Sequence, residues 1–230
     1  MSARDVTNKT RYYRWNYEET WEFTSAFRTT LEYIGDAKTG TVKENLSLIS
    51  LYRCWRSANS TLIDLASTTR LSADVVKQQL ITRLPSTSKK LKYRYSILLK
   101  QYAQSQEEYE YWQLLKKNTQ DIGSLYGTLP VQLTGNVHAT TGAGQDAIGF
   151  VGVYSEAQLR IFIDNAQLPR TWRPQDAIQC NSFEYKDFKE IQPLLASKVL
   201  WPIMEGSGVA LTECVDCRMQ GTNVQPPFWR

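Results

Sequence analysis

The stretch Tyr13-Arg14-Trp15-Asn16-Tyr17-Glu18-Glu19-Thr20-Trp21-Glu22-Phe23 decides how the chain is read. Tyr13, Trp15, Tyr17, Trp21 and Phe23 alternate with Arg14, Asn16, Glu18, Thr20 and Glu22. That period of two belongs to a β-strand with one buried face. Glu19 interrupts the apolar row, which predicts a bend, a bulge, or a buried partner such as an arginine. A second run repeats the pattern: Leu91, Tyr93, Tyr95, Ile97 and Leu99 alternate with Lys92, Arg94, Ser96 and Lys100. Seven Trp, 13 Tyr and seven Phe fit the same conclusion, because aromatic rings suit pleated, half-buried surfaces.

Between these two strands, residues 35–45 carry Gly35, Asp36, Gly40 and Asn45 and read as an exposed loop. The apolar run Leu46 to Trp55 reads as a strand, Thr61 to Ala66 as its β continuation, and Ser72 to Leu84 as a turn plus a strand. Ser105-Gln106-Glu107-Glu108 is a capping box, and Tyr111, Trp112 and Leu115 follow at helical spacing, so one helix is expected at about 106–118. Val131, Leu133 and Val137 return to period two. Gly142-Ala143-Gly144 then predicts a turn before strands at Ala147 to Tyr154 and Leu159 to Ile163. From Asn165 onward prolines and isolated aromatics suggest loops laid over the sheets. The expected fold is mainly β: an antiparallel β-sandwich, fibronectin- or immunoglobulin-like, with one inserted helix. It would occupy residues 1–164, with 165–230 an irregular cysteine-containing tail packed on the same domain.

The chain's 230 residues can bury a substantial core, and 42% hydrophobic with 22% charged residues is a folding composition. A net charge of +4, dispersed along the chain, is too weak to form a nucleic-acid footprint. No stretch reaches the roughly 18 apolar residues of a membrane span, so the chain reads as soluble. Met1-Ser2-Ala3-Arg4-Asp5 begins no signal peptide, and the abrupt entry into a strand fits loss of an upstream leader or domain.

Four cysteines, Cys54, Cys180, Cys214 and Cys217, offer three chemistries. Cys214-Val215-Asp216-Cys217 has dithiol spacing but does not open a helix in a βαβ unit, which argues against redox catalysis. A four-thiolate zinc site would need the distant Cys54 and Cys180 to converge on the pair. In an oxidising compartment the cysteines form disulfides, either two bridges from Cys54 and Cys180 to the Cys214/Cys217 pair or one local or distal bridge. His138, the single histidine, falls on the polar side of its run and reads as a solvated strand-end residue rather than a general base. Glu18, Glu19, Glu107, Glu108 and Glu110 are the carboxylates a glycosidase pair would draw on, yet Glu107 and Glu108 suit a helix's first turn. No catalytic residue, metal or cofactor is therefore assigned. Trp15, Trp21 and Trp112 lie on apolar stripes, whereas Trp172, Trp201 and Trp229 sit in loop-like contexts and are the candidates for exposed recognition.

Taken in order, these residues resemble the Bacteroidota outer-membrane lipoproteins grouped as domain of unknown function 4249. The resemblance runs through Tyr12-Tyr13-Arg14-Trp15, Glu19-Thr20-Trp21, Cys54-Trp55, Tyr95-Ser96-Ile97, Lys100-Gln101-Tyr102, Tyr109-Glu110-Tyr111-Trp112 and Lys117-Asn118. It continues through Gly123-Ser124-Leu125, Pro130, Gly135-Asn136, Cys214-Val215-Asp216-Cys217-Arg218, Gly221-Thr222-Asn223 and Pro227-Phe228-Trp229. Tyr126-Gly127 replaces the Phe-Asp usual after the helix, and one glycine, Gly221, stands where two are common. The resemblance implies an exported protein, lipid-anchored at the outer membrane or cell surface and accessory to a TonB-dependent transporter complex. Membrane contact would come only through an anchor this chain lacks. The chain looks like the C-terminal portion, without the signal peptide, lipidated cysteine and upstream immunoglobulin-like sandwich. The family brings no catalytic residues to these positions, so the implied role is binding of the transporter or its substrate, with glycan or peptide capture as the alternative and hydrolysis less favoured.

Overall fold

The structure, a computed structural model, describes residues 3–4, 7, 9–120, 133, 135–141, 149–175, 179–203 and 208–229. The fold is mainly β, with antiparallel sheets and a few helices. In chain order the elements are β1 (Ala3–Arg4), β2 (Tyr12–Thr24), β3 (Leu31–Ile34), β4 (Thr41–Glu44), β5 (Arg53–Asn59), β6 (Asp64–Ser67), β7 (Val75–Val76) and β8 (Arg94–Gln104). Then come α1 (Gln106–Gln120), β9 (Ser155–Asp164), β10 (Ser182–Glu184), α2 (Phe188–Ala196), β11 (Leu200–Pro202), β12 (Gly208–Leu211) and α3 (Thr212–Val215). The largest sheet runs β5-β2-β8-β9, with β6 also pairing with β2; β10-β12-β11 form a second sheet, and β1-β7 and β3-β4 are two-stranded.

The chain divides into two compact units, one from residues 1–18, 59–83 and 97–161, the other from 19–58, 84–96 and 162–230. The first has a core of Ala3, Tyr13, Trp15 and Val76, backed by Ala66, Ile81 and Ala103. Tyr13 donates its hydroxyl to Asp74 at 2.8 Å, and Thr68 donates to the other Asp74 oxygen at 2.5 Å, so this fully buried carboxylate is hydrogen-bonded rather than stranded. The amide N–H of Thr68 bonds the carbonyl of Arg11 at 2.9 Å and so carries the β2–β6 pairing to its end. The second unit is centred on Leu51, Trp201, Ile203, Ala210, Cys214 and Val215, with Phe27, Leu48 and Cys180 against them.

The expectation for β2 holds for its position and period, but its polar face is covered as well. Arg14 lies between the rings of Tyr102 and Trp112, 4.3 and 4.2 Å from their centroids. Burial lowers the pKa of its guanidinium, against the attraction of Tyr102 and Glu108. Tyr102 of β8 and Trp112 of the helix α1 supply this cover. Ser105 caps α1 by accepting the N–H of Glu108 at 3.2 Å, Glu107 and Glu108 occupy the first turn and Lys117 the last, in keeping with the helix dipole. Its observed end, Gln120, extends the expected helix by two residues.

Other expectations change. Leu46–Leu51 is a 3₁₀ turn, because the side chain of Asn45 accepts the N–H of Ser47 and starts a helical turn before β5 begins at Arg53. The segment from Ser72 to Leu84 contributes only the two residues of β7. Residues 149–154 are not a strand, and Val137 lies outside any strand. Val131 and the Gly142-Ala143-Gly144 turn fall outside the described residues, as do Gly123-Ser124-Leu125, Tyr126-Gly127 and Pro130. The tail is not irregular: it builds β10-β12-β11, α2 and α3. Pro193 within α2 disguised that helix, although Asp187 caps it by accepting the N–H of Lys189.

Glu19 is itself buried, and its charged partner is a half-buried lysine rather than an arginine. Its carboxylate forms an ion pair with Lys90 and accepts the Tyr95 hydroxyl at 3.0 Å. The Lys90 ammonium also stands 4.9 Å over the Trp21 ring. Removing the cation while leaving a buried carboxylate costs more than the pair itself is worth. Lys90→Met is therefore expected to lower the unfolding free energy by about 2–4 kcal/mol in urea titrations. Adding Glu19→Gln should recover part of that loss.

Candidate functional site

All four cysteines are paired, Cys54 with Cys217 and Cys180 with Cys214, at sequence separations of 163 and 34. This is the two-bridge arrangement, and it removes the other two readings. No dithiol exists between Cys214 and Cys217, and no thiolate is left for zinc. Among the described residues no group of three His, Cys, Asp or Glu is placed to hold a metal. Between the two bridged positions Asp216 is buried, starts the 3₁₀ turn Cys217–Met219 by accepting the N–H of Arg218, and binds that residue's guanidinium through both oxygens. The Cys-Val-Asp-Cys-Arg run is thus a local fastening. Immediately beyond it, Thr222 and Trp55 exchange backbone hydrogen bonds at 2.8 and 2.9 Å. Gly221 is required there, since a Cβ at that position would lie 2.4 Å from the Trp55 carbonyl oxygen.

Two of the three tryptophans expected to be exposed are buried. Trp201, 7% exposed, donates its indole N–H to the Leu31 carbonyl at 2.8 Å, and Trp229, 6% exposed, packs edge-on against Phe162 at 5.8 Å. Both fasten the tail to its unit's core, so neither presents a ring for recognition. Trp172 is half-buried. It lines a concavity of about 320 Å³ with Arg170, Arg173, Pro169 and Asn165. The Arg173 guanidinium is turned back onto the carbonyls of Arg170 and Trp172.

The carboxylates offered for hydrolysis are placed in other tasks. Glu18 pairs with Lys100, whose pKa rises chiefly because of that hydrogen bond. Glu108 is buried, accepting the Gln104 amide at 2.6 Å and the Trp112 indole N–H at 3.3 Å. Glu110 accepts the Gln106 amide on the exposed side of α1. His138 is exposed in a segment without regular structure.

An open concavity of about 690 Å³ lies along the flank of α1, lined by Leu65, Tyr109, Glu110, Gln113, Leu114, Lys116 and Lys117. Its volume falls within the usual range for ligand or peptide grooves, whereas the cleft beside Trp21, Arg56, Lys89 and Lys92 has room for only about 40 Å³. Tyr109, one of the residues lining the α1 concavity, has its ring 5.1 Å from that of Tyr12, and burial pushes its hydroxyl pKa up. The sequence marks this helix, but the groove needs β6 beside it, and nothing in the local pattern announces that pairing.

These features define a mainly β, doubly disulfide-bridged chain with one grooved helix flank. The chain belongs to the family described as Domain of unknown function (DUF4249), which matches residues 1–160. No curated protein and no solved structure matches it. No helix among the described residues is long and apolar enough to cross a membrane.

Close to the groove, Asp64 is half-buried, and burial raises its pKa against the opposing pull of Lys116. A raised carboxylate pKa means that the charged form is disfavoured by folding. The cost is fully present above the folded-state pKa and disappears as pH falls below the unfolded-state value. Asp64→Asn should therefore be more stable than the parent at pH 7, by less than about 1 kcal/mol given solvent screening. The two unfolding curves should converge below about pH 3.

Proposed function

We propose that this chain is a non-catalytic recognition domain of an exported outer-membrane lipoprotein of Bacteroidota, accessory to a TonB-dependent transporter complex. The observation that carries the reading is the pairing of every cysteine in two bridges of long sequence separation. Such bridges persist in oxidising compartments and are rare where thiols are kept reduced. The family is one of unknown function, and the transporter as partner rests on the resemblance to outer-membrane lipoproteins alone. The engagement of Glu18, Glu19 and Glu108 in ion pairs and hydrogen bonds favours a binding role over hydrolysis.

The contact surface in this reading is the α1 flank. Leu114 and Tyr109 give it apolar area, and Lys116 and Lys117 give it positive charge. It suits a segment of a partner protein bearing apolar and acidic side chains. Purification of the lipidated full-length protein from native membranes is expected to recover a TonB-dependent transporter. Leu114→Asp with Lys117→Glu should reduce that recovery at least tenfold while leaving the circular dichroism spectrum unchanged. Repeated recovery of no transporter would contradict the partner, and undiminished recovery by the double variant would contradict the surface.

A further inference from the structure

The strand β9 ends the order β5-β2-β8-β9, and among the described residues no strand pairs with its outer edge. It is ten residues long, holds neither proline nor glycine, and from Ser155 to Leu159 both of its faces are exposed. An edge of this kind presents a row of backbone N–H and C=O groups to any strand that fits it. One face carries Ser155 and then the apolar Ala157, Leu159 and Ile161 at period two, with Leu159 53% exposed, and Val153, just before the strand, is 94% exposed. Glu156, Gln158 and Arg160 occupy the other face, and the Gln158 amide donates to Glu156.

We infer that β9 pairs with β9 of a second copy of this chain, antiparallel about a two-fold axis through Gln158. Such an axis, perpendicular to the sheet, keeps each face on its own side, so only residues of the same parity stand opposite one another. With Gln158 opposite its symmetry mate, Glu156 faces Arg160 of the other copy, and the symmetry repeats that ion pair. On the opposite face Ala157 meets Leu159, which covers that exposed leucine with an apolar neighbour, and Ser155 meets Ile161. Moving the axis to Ala157 sets Glu156 against Gln158 and Arg160 against Tyr154. Moving it to Leu159 sets Arg160 against Gln158. Of these three registers, the one centred on Gln158 pairs both charges.

The interface is isologous, so each substitution acts twice. Glu156→Arg places two arginines opposite each other on both sides of the axis, and Arg160→Glu does the same with carboxylates. Like charges directly across a ladder repel, whereas opposite ones attract.

Analytical ultracentrifugation of the full chain over a concentration series tests this directly. A monomer–dimer equilibrium is expected, with Kd raised tenfold or more by Glu156→Arg or Arg160→Glu alone and restored by the two together. Gln158→Cys, next to its own mate at the axis, should form a disulfide-linked dimer under mild oxidation. Glu156→Cys, two residues off the axis on each strand, should not. Circular dichroism verifies that each variant is folded. A monomer at all concentrations up to about 1 mM, a dimer indifferent to either charge reversal, or equal cross-linking at positions 156 and 158 would each overturn the pairing.

Discussion

The bridge from Cys54 to Cys217 is the constraint from which the C-terminal part of the chain takes its form. It joins positions 163 apart in sequence, and closing so long a loop in the unfolded chain costs on the order of 5 kcal/mol of conformational free energy. Once the sulfurs are joined, the neighbours on both sides are drawn together. Trp55 and Thr222 exchange their backbone hydrogen bonds, and Gly221 provides the space for that approach. The second bridge holds Cys180 to α3, beside Val215 and Trp201 in the same core. A stretch with little regular hydrophobic period therefore acquires a sheet, two helices and a shared core within the unit it belongs to.

Buried charge is the other organising feature. Glu19 with Lys90 and Tyr95, Asp74 with Tyr13 and Thr68, Asp216 with Arg218, and Arg14 between two aromatic rings are each matched by a partner of suitable chemistry. Such groups are costly to bury alone and tolerable when paired, so they restrict which packing the chain accepts. They also account for ionisable residues that in the bare sequence look available for acid–base work. In the proposed function the recognition surface is the flank of α1, where apolar and cationic side chains line an open groove.

The long strands and α1 were legible because each carries its own signal: strict alternation in β2 and β8, and a Ser105 cap in α1. Leu46–Leu51 reads as strand because a short apolar run has no period of its own, and only the Asn45 cap distinguishes a turn. The α2 helix was hidden by Pro193, although Asp187 and the spacing of Ile191, Gln192 and Leu195 mark it in retrospect. The burial of Trp201 and Trp229 is not legible in the sequence, because a ring near prolines looks exposed until its unit's core closes on it. The cysteine partners were narrowed to a few pairings by residue spacing, but the choice among them is made by distance in space. The α1 groove depends on the same non-local information, since it requires β6 alongside.

Export is the step on which the functional account turns, and the state of the four sulfurs tests it most directly. Protein taken without reductant from the cells that make it can be alkylated, digested and mapped by mass spectrometry. Linked peptides joining Cys54 to Cys217 and Cys180 to Cys214 are expected, with no thiol open to alkylation. Free thiols at these positions, or zinc released in proportion to the chain, would contradict that pairing.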